Sequence, residues 1–257
     1  MTAPLLALHG VTKHFGGVMA NGDVSFTISR GEIVGLIGHN GAGKTTLFNI
    51  VAGYLKPDKG RITFQAADIT GLTPAKIAKK GLVRTFQATT LFGGMTVYQN
   101  VSLAHYLPGD KPFWSYILNT KGVRAAERVI DRKTEQLIEM FDLTDFRGVP
   151  AQSLPYGLQR SLGVAIAMAA NPLLLMLDEP VAGMNETESG EMTRHIRRIN
   201  DSGVTVLIIE HDMKTLMSIS DRVIAMASGQ KLAEGTPSEI QRNEAVIESY
   251  LGRDEDW

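Results

Sequence analysis

The stretch Gly38-His39-Asn40-Gly41-Ala42-Gly43-Lys44-Thr45 follows the spacing G-x-x-x-x-G-K-[ST]. Glycines at these intervals let successive backbone N–H groups turn inward around an anion, and a helix start adds positive potential. Lys44 is placed to reach the outer phosphates of a nucleotide, the Thr45 hydroxyl to bind Mg²⁺, and Thr46 to add a phosphate contact. Such a loop does not select a reaction, because kinases, GTPases and motor ATPases all use it. A second cluster narrows the choice. Leu173-Leu174-Leu175-Met176-Leu177-Asp178-Glu179-Pro180 reads as a buried strand ending in adjacent carboxylates. Successive side chains of a strand point to opposite faces, so Asp178 and Glu179 must do different work. One is suited to hold a hydrated Mg²⁺ and the other to address an attacking water.

The elements that position these residues can be read from periodicity. Leu5 to His9 and Val24 to Ile28 are strand-like, and Ile33 to Ile37 is a continuous apolar run suited to a fully buried strand. The Ser29-Arg30-Gly31 connection predicts a hairpin-like pair of the last two. A helix is expected from about Lys44, stopped by Gly53, and a short strand over Arg61 to Phe64 follows the turn at Pro57-Asp58-Lys59-Gly60. From about Ala88 to Leu162 strand signals vanish, and helical spacing in Val97 to Ala104 and Arg124 to Phe141 predicts a helical insertion, residues 88–162. Strands at Leu173 to Leu177, Thr205 to Ile209 and Arg222 to Met226 then alternate with helices at Glu188 to Asn200 and Lys214 to Ile219. Gly229-Gln230 turns into a last short strand, and Thr236-Pro237-Ser238-Glu239 is a capping box with proline at the first helical position. The expected fold is α/β, a mostly parallel sheet flanked by helices, with a small antiparallel β region.

Together GHNGAGKTT (Gly38 to Thr46), RTFQ (Arg84 to Gln87), LLLMLDEP (Leu173 to Pro180) and IIEHD (Ile208 to Asp212) resemble the ordered motif set of ABC ATPases, P-loop NTPases. The resemblance covers nearly the whole chain as a single domain, 1–257, and is far more specific than any one motif. It implies that Glu179 is the general base and His211 the γ-phosphate switch residue. It also implies that Gln87 is a lid glutamine, contacting Mg²⁺ and the attacking water, while Thr45 and Asp178 complete the metal set. Phe15 matches the position of an aromatic ring stacked on adenine, with packing in the small sheet as the competing reading. Val181 to Asn185 stands where a loop crosses to a partner subunit.

One motif departs from the pattern. The family signature, usually L-S-G-G-Q at a helix start, corresponds here to Leu154-Pro155-Tyr156-Gly157-Leu158. Pro155 lacks both a side-chain donor and an N–H, although proline suits the first position of a helix. Leu158 replaces a polar residue. The resemblance implies a head-to-tail pair of ATPase domains in which each ATP lies between one cradle and the other chain's signature. The altered signature therefore serves the partner's cradle.

The phrases KHFGGVMA, GLVRTFQATTLFGGMTVYQNV and VIESYLG resemble the branched-chain, or hydrophobic, amino-acid uptake branch. Its implied assembly has a second, different ATPase subunit, two transmembrane permease subunits and a solute-binding protein, with this chain on the cytoplasmic face. Related small polar solutes remain open as cargo. The aromatic stretch Pro112 to Leu118 is read either as a surface for a permease segment or as the core of the helical insertion. The alternatives to an importer motor are a mainly nucleotide-binding regulatory subunit and a soluble non-transport ABC ATPase. Glu179 argues against the first. The lack of long coiled-coil insertions or a second ATPase domain argues against the second.

Composition agrees. The chain has 257 residues, 44% hydrophobic and 21% charged, with 26 basic and 27 acidic side chains and a formal net charge of −1. That balance argues against a nucleic-acid partner held mainly by charge. Cysteine is absent, which excludes disulfides and thiolate metal sites. No signal peptide is seen, and the most apolar region, Val164 to Leu177, is broken by Asn171-Pro172 short of a spanning length. Membrane association is expected to run through a partner.

Overall fold

A computed structural model describes residues 3–85, 91–105 and 121–251. Its strands form two sheets. The first has the order β2-β1-β4-β5, built from β1 (Leu6–Phe15), β2 (Val18–Ile28), β4 (Lys59–Phe64) and β5 (Ala67–Asp68), all antiparallel. The second has six strands in the order β10-β9-β3-β8-β7-β6. These are β3 (Ile33–Ile37), β6 (Leu82–Arg84), β7 (Leu174–Asp178), β8 (Thr205–Ile209), β9 (Arg222–Ala227) and β10 (Gln230–Gly235). Only the pairing of β10 with β9 is antiparallel. The helices are α1 (Lys44–Val51), α2 (Pro74–Ala78), α3 (Val97–Ala104), α4 (Lys121–Met140), α5 (Tyr156–Ala169), α6 (Glu186–Asp201), α7 (Met213–Ile219), α8 (Pro237–Gln241) and α9 (Glu244–Leu251).

The expected hairpin of 24–28 with 33–37 does not form, because the two strands lie in different sheets. β2 alternates buried and exposed residues and pairs with β1, whereas β3 is buried throughout and runs parallel to β8 and β9. The real hairpin turns at Gly16-Gly17, where Phe15 faces Val18 and Gly16 has φ 58°. Gly16, the first residue of this two-residue connection, supplies the positive φ that such a turn demands. β6 is a short strand that the sequence reading lacks; its partners are Leu174 to Met176. The capping box predicted at Thr236 is present: its hydroxyl accepts from the Glu239 N–H, with Pro237 in the first turn.

Strand parity sorts the core. Ile33, Ile37, Leu175, Leu177, Val206 and Ile208 face a cluster that includes α3, α5 and α6 side chains. Val34, Leu36, Leu174, Met176, Leu207 and Ile209 face α1 and the small sheet. Asp178 keeps the parity of Leu174 and Met176, so its carboxylate belongs to the α1 side.

A polar array centred on buried His195 joins α6 to α5 and to Asp142, just beyond α4. His195 on α6, 2% exposed, pairs through Nε2 with Asp142 at 3.1 Å, and its Nδ1 faces the Ser161 hydroxyl at 3.5 Å. The carboxylate and the hydroxyl select the tautomer protonated at Nε2. Burial holds the imidazole below its ordinary value of 6.5, against the opposing pull of Asp142. The unfolded chain therefore takes up a proton first as pH falls through about 6.5, while the folded chain does not, so stability declines with acidification. While the states differ by one proton the slope is about 1.4 kcal/mol per pH unit. Melting curves at pH 7.5 and 5.5 should differ less for His195→Gln than for the unaltered protein; an equal difference would remove His195 from the acid response.

Candidate nucleotide site

The glycine loop leaves the C-terminal end of β3, at the centre of the parallel sheet, where crevices in open α/β sheets bind ligands. Asp178 ends β7, and Glu210 and His211 follow β8, so the carboxylates and the histidine gather at the same edge. Glycine is required at two loop positions. A Cβ on Gly38 would stand 2.4 Å from the Met226 carbonyl oxygen, and one on Gly43, at φ 93°, 2.3 Å from that of Ala20. The second contact brings β2 against the loop, as does buried Asn21, whose Nδ2 donates to the Gly43 carbonyl at 3.2 Å. Phe15 ends β1 of the same small sheet, paired with Val18 of β2. Its ring is 48% exposed, not packed in the sheet, with the Lys13 ammonium 5.8 Å from its centroid.

Lys44 is buried, and its ammonium folds back to donate to the carbonyls of Gly38 at 2.5 Å and His39 at 3.1 Å. Burial lowers its pKa, and the charges of Glu179 and Asp178 oppose that shift. Thr45 is exposed in the first turn of α1, Thr46 is half-buried beside it, and Asn40 and Gly41 face solvent while Ala42 is buried. His39 bonds through Nδ1 to the Asn40 carbonyl at 2.6 Å.

Asp178 and Glu179 diverge as strand parity requires. Asp178 is buried against Arg84, whose guanidinium donates to Oδ2 at 2.7 Å and to Asn49 of α1 at 2.6 Å. Arg84 also lies over the rings of Phe48 and Tyr54. The sequence reading gave Arg84 no role of its own; it ties the carboxylate to the helix that carries Lys44. Glu179 has φ 49°, and its Oε1 accepts from His211 Nε2 at 2.8 Å. Two widely spaced motifs thus meet in one hydrogen bond. Glu210, also unremarked in the sequence, is buried and accepts from the Val181 N–H at 2.8 Å and the His211 N–H at 3.2 Å. Burial raises its pKa, those N–H bonds opposing.

These groups fit a nucleotide and a hard divalent ion. A cationic ammonium already lies among the loop's carbonyls, and Gly41 leaves open space beside the loop. A hydroxyl and one carboxylate are the oxygen donors expected of Mg²⁺, which keeps waters and takes phosphate oxygens. Gln87, expected in both the metal set and the lid, lies outside the described residues, as does the aromatic stretch Pro112 to Leu118.

The segment Leu154–Leu158, expected to be the signature, forms an intact helix start. Leu154 is buried, Pro155 precedes the first turn of α5 with φ −52°, and no side chain caps the helix. Leu158 packs on the apolar cluster, and Gly157 lies against Glu188 of α6. Tyr156 is exposed, and its hydroxyl donates to the Ala182 carbonyl at 3.1 Å. A sequence reading could not assign that bond, because it depends on how α5 meets a loop 26 residues away.

Comparison with known proteins agrees with the geometry. Residues 22–182 match the family described as ABC transporter, and residues 230–256 match that described as Branched-chain amino acid ATP-binding cassette transporter. The chain is 41% identical over 253 residues to the high-affinity branched-chain amino acid transport ATP-binding protein BraF of Pseudomonas aeruginosa, covering 98% of this chain and 99% of that one. It is 42% identical, with the same coverage, to the LivG protein of Salmonella typhimurium. A solved nucleotide-free ATP-binding cassette from an ABC transporter superimposes with TM-score 0.84 at 30% identity, over 98% of this chain and 100% of that one. A structure of an ATP-binding cassette of an ABC transporter in its ADP conformation does so with TM-score 0.85 at 30% identity and the same coverage. This chain belongs to the ABC transporter family, as an ATP-binding subunit.

Proposed function

We propose that this chain binds MgATP in the Gly38–Thr46 loop and hydrolyses it with Glu179 as general base, driving uptake of branched-chain amino acids or a related small polar solute. The observation that carries the reading is the Glu179–His211 hydrogen bond at the edge that also holds Lys44. In that geometry the Glu179 carboxylate takes a proton from the attacking water, and His211 fixes its orientation. Lys44 leaves its carbonyl partners for the phosphate oxygens and balances their charge. Thr45, Asp178 and Gln87 would hold Mg²⁺, which supplies Lewis-acid stabilisation when bound. Phe15 offers its exposed ring to adenine.

Among the described residues no helix is long and apolar enough to cross a membrane. The chain works on the cytoplasmic face through two permease subunits, paired with a second, different ATPase chain, and meets the solute-binding protein only indirectly. No nucleic acid takes part. The helical region 88–162 acts as the subdomain that presents the signature. Lys44→Ala should weaken MgATP binding about 10–10²-fold, the worth of a charge-assisted hydrogen bond; undiminished affinity in a nucleotide titration would sink the loop assignment. Vesicles carrying the complete transporter should take up leucine only with ATP inside the cytoplasmic compartment. Hydrolysis without uptake of any branched-chain acid would move the cargo to another solute.

A further inference from the structure

The loop that carries Glu179 is fastened to the signature helix of its own chain. Glu179 stands at φ 49°, a region that side-chain-bearing residues rarely adopt, so something outside the residue must hold it. Its N–H still completes the sheet, donating to Ile209 at 2.9 Å. The turn then presents its carbonyl to α5, where Arg160 donates to it at 2.5 Å. Arg160 is only 7% exposed, and a charged donor shielded from water is the stronger kind of hydrogen bond. One turn earlier on the same helix, Tyr156 donates to the Ala182 carbonyl and its ring lies along Gly183. The two side chains brace each other, with the Arg160 guanidinium 5.8 Å from the centroid of the Tyr156 ring. From the opposite side Glu210 receives the Val181 N–H.

We propose that Tyr156 and Arg160 are positioning residues for this chain's own general base. They join the signature end of α5, which addresses the partner's nucleotide, to the carboxylate that serves the nucleotide on this chain. The inference rests on the reading of Glu179 as base and of Leu154–Leu158 as the signature. Its physical content is that residues 179–183 have little freedom independent of α5. A shift of α5 when the signature engages nucleotide is therefore passed to the Glu179–His211 hydrogen bond, and one ATP site reports its occupancy to the other.

The test uses the assembled transporter with the partner ATPase's own catalytic carboxylate changed to the amide, so that turnover comes from this chain's site alone. In that background Tyr156→Phe, which removes one hydroxyl, and Arg160→Lys, which keeps the charge but loses the planar fork, should each lower kcat. About 10–10²-fold is expected, the usual cost of a slightly misplaced catalytic group. KM for ATP should stay within about twofold, because neither change touches the Lys44 loop. Melting temperature serves as the folding control, and Tyr156→Phe should leave it nearly unchanged. Unchanged kcat in both variants overturns the proposal. So does a rise in KM with kcat held, which would mean that the residues act only on nucleotide binding. Failure of the base assignment is seen separately, as unchanged turnover in Glu179→Gln alone.

Discussion

Glu179→Gln is expected to keep MgATP bound while slowing hydrolysis by about 10²–10⁴-fold, the usual worth of a positioned general base. The side chain is well placed for that role. It is 19% exposed, so one flank reaches water, and its Oε1 is fixed by His211 Nε2 at 2.8 Å. An amide keeps the size of the group, and its oxygen can still accept from His211, so the local structure survives. Only the proton acceptor is lost. Binding should be spared because the contacts expected for the phosphates belong to Lys44, Thr45 and the loop N–H groups rather than to Glu179. Phosphate release from the assembled transporter measures the first effect and nucleotide titration the second. The altered complex should also accumulate ATP in a closed pair of ATPase chains. Unchanged turnover would require another base. Asp178 is poorly suited to replace it, because Arg84 holds that carboxylate on the opposite side of the strand.

Much of this site was legible in the sequence because its chemistry is local. The loop from Gly38 to Thr45 is contiguous, and two of its glycines, Gly38 and Gly43, are demanded by backbone approach to Met226 and Ala20. The split between Asp178 and Glu179 follows from strand parity, and the capping box at Thr236 from residue types three positions apart. What escaped depends on tertiary approach. Arg84 meets Asp178 across 94 residues, and Glu210 meets Val181 across 29. No local pattern encodes either. The mistaken hairpin has the same origin: a short connection suggested pairing, but a strand buried on both faces could be satisfied only at the centre of the large sheet. β6 was missed because three residues are too few for periodicity to register.

The complete transporter should be asymmetric, with rapid hydrolysis at the site built from this chain's cradle and slow or no hydrolysis at the site completed by its signature. The reason lies at the start of α5. A serine there would aim a hydroxyl at the γ-phosphate of the partner's ATP, but Pro155 has no donor on side chain or backbone. Leu158, where a polar residue is expected, turns to the apolar cluster instead. Tyr156 spends its hydroxyl on Ala182 of its own chain. The helix is nevertheless intact from its first turn, and its N-terminal backbone groups can still attract phosphate, so binding should outlast catalysis. One missing donor aimed at developing charge is worth ~2.7–4 kcal/mol, about 10²–10³-fold in rate, which is enough to separate the two sites. The comparison that decides is Glu179→Gln in this chain against the equivalent change in the partner ATPase, each in the assembled complex. Near-complete loss from the first and mild loss from the second is expected. Equal losses would mean that the altered signature is competent. Uniformly low activity in a pair made only of this chain would agree with the asymmetry, because both of its sites would then carry Pro155 and Leu158.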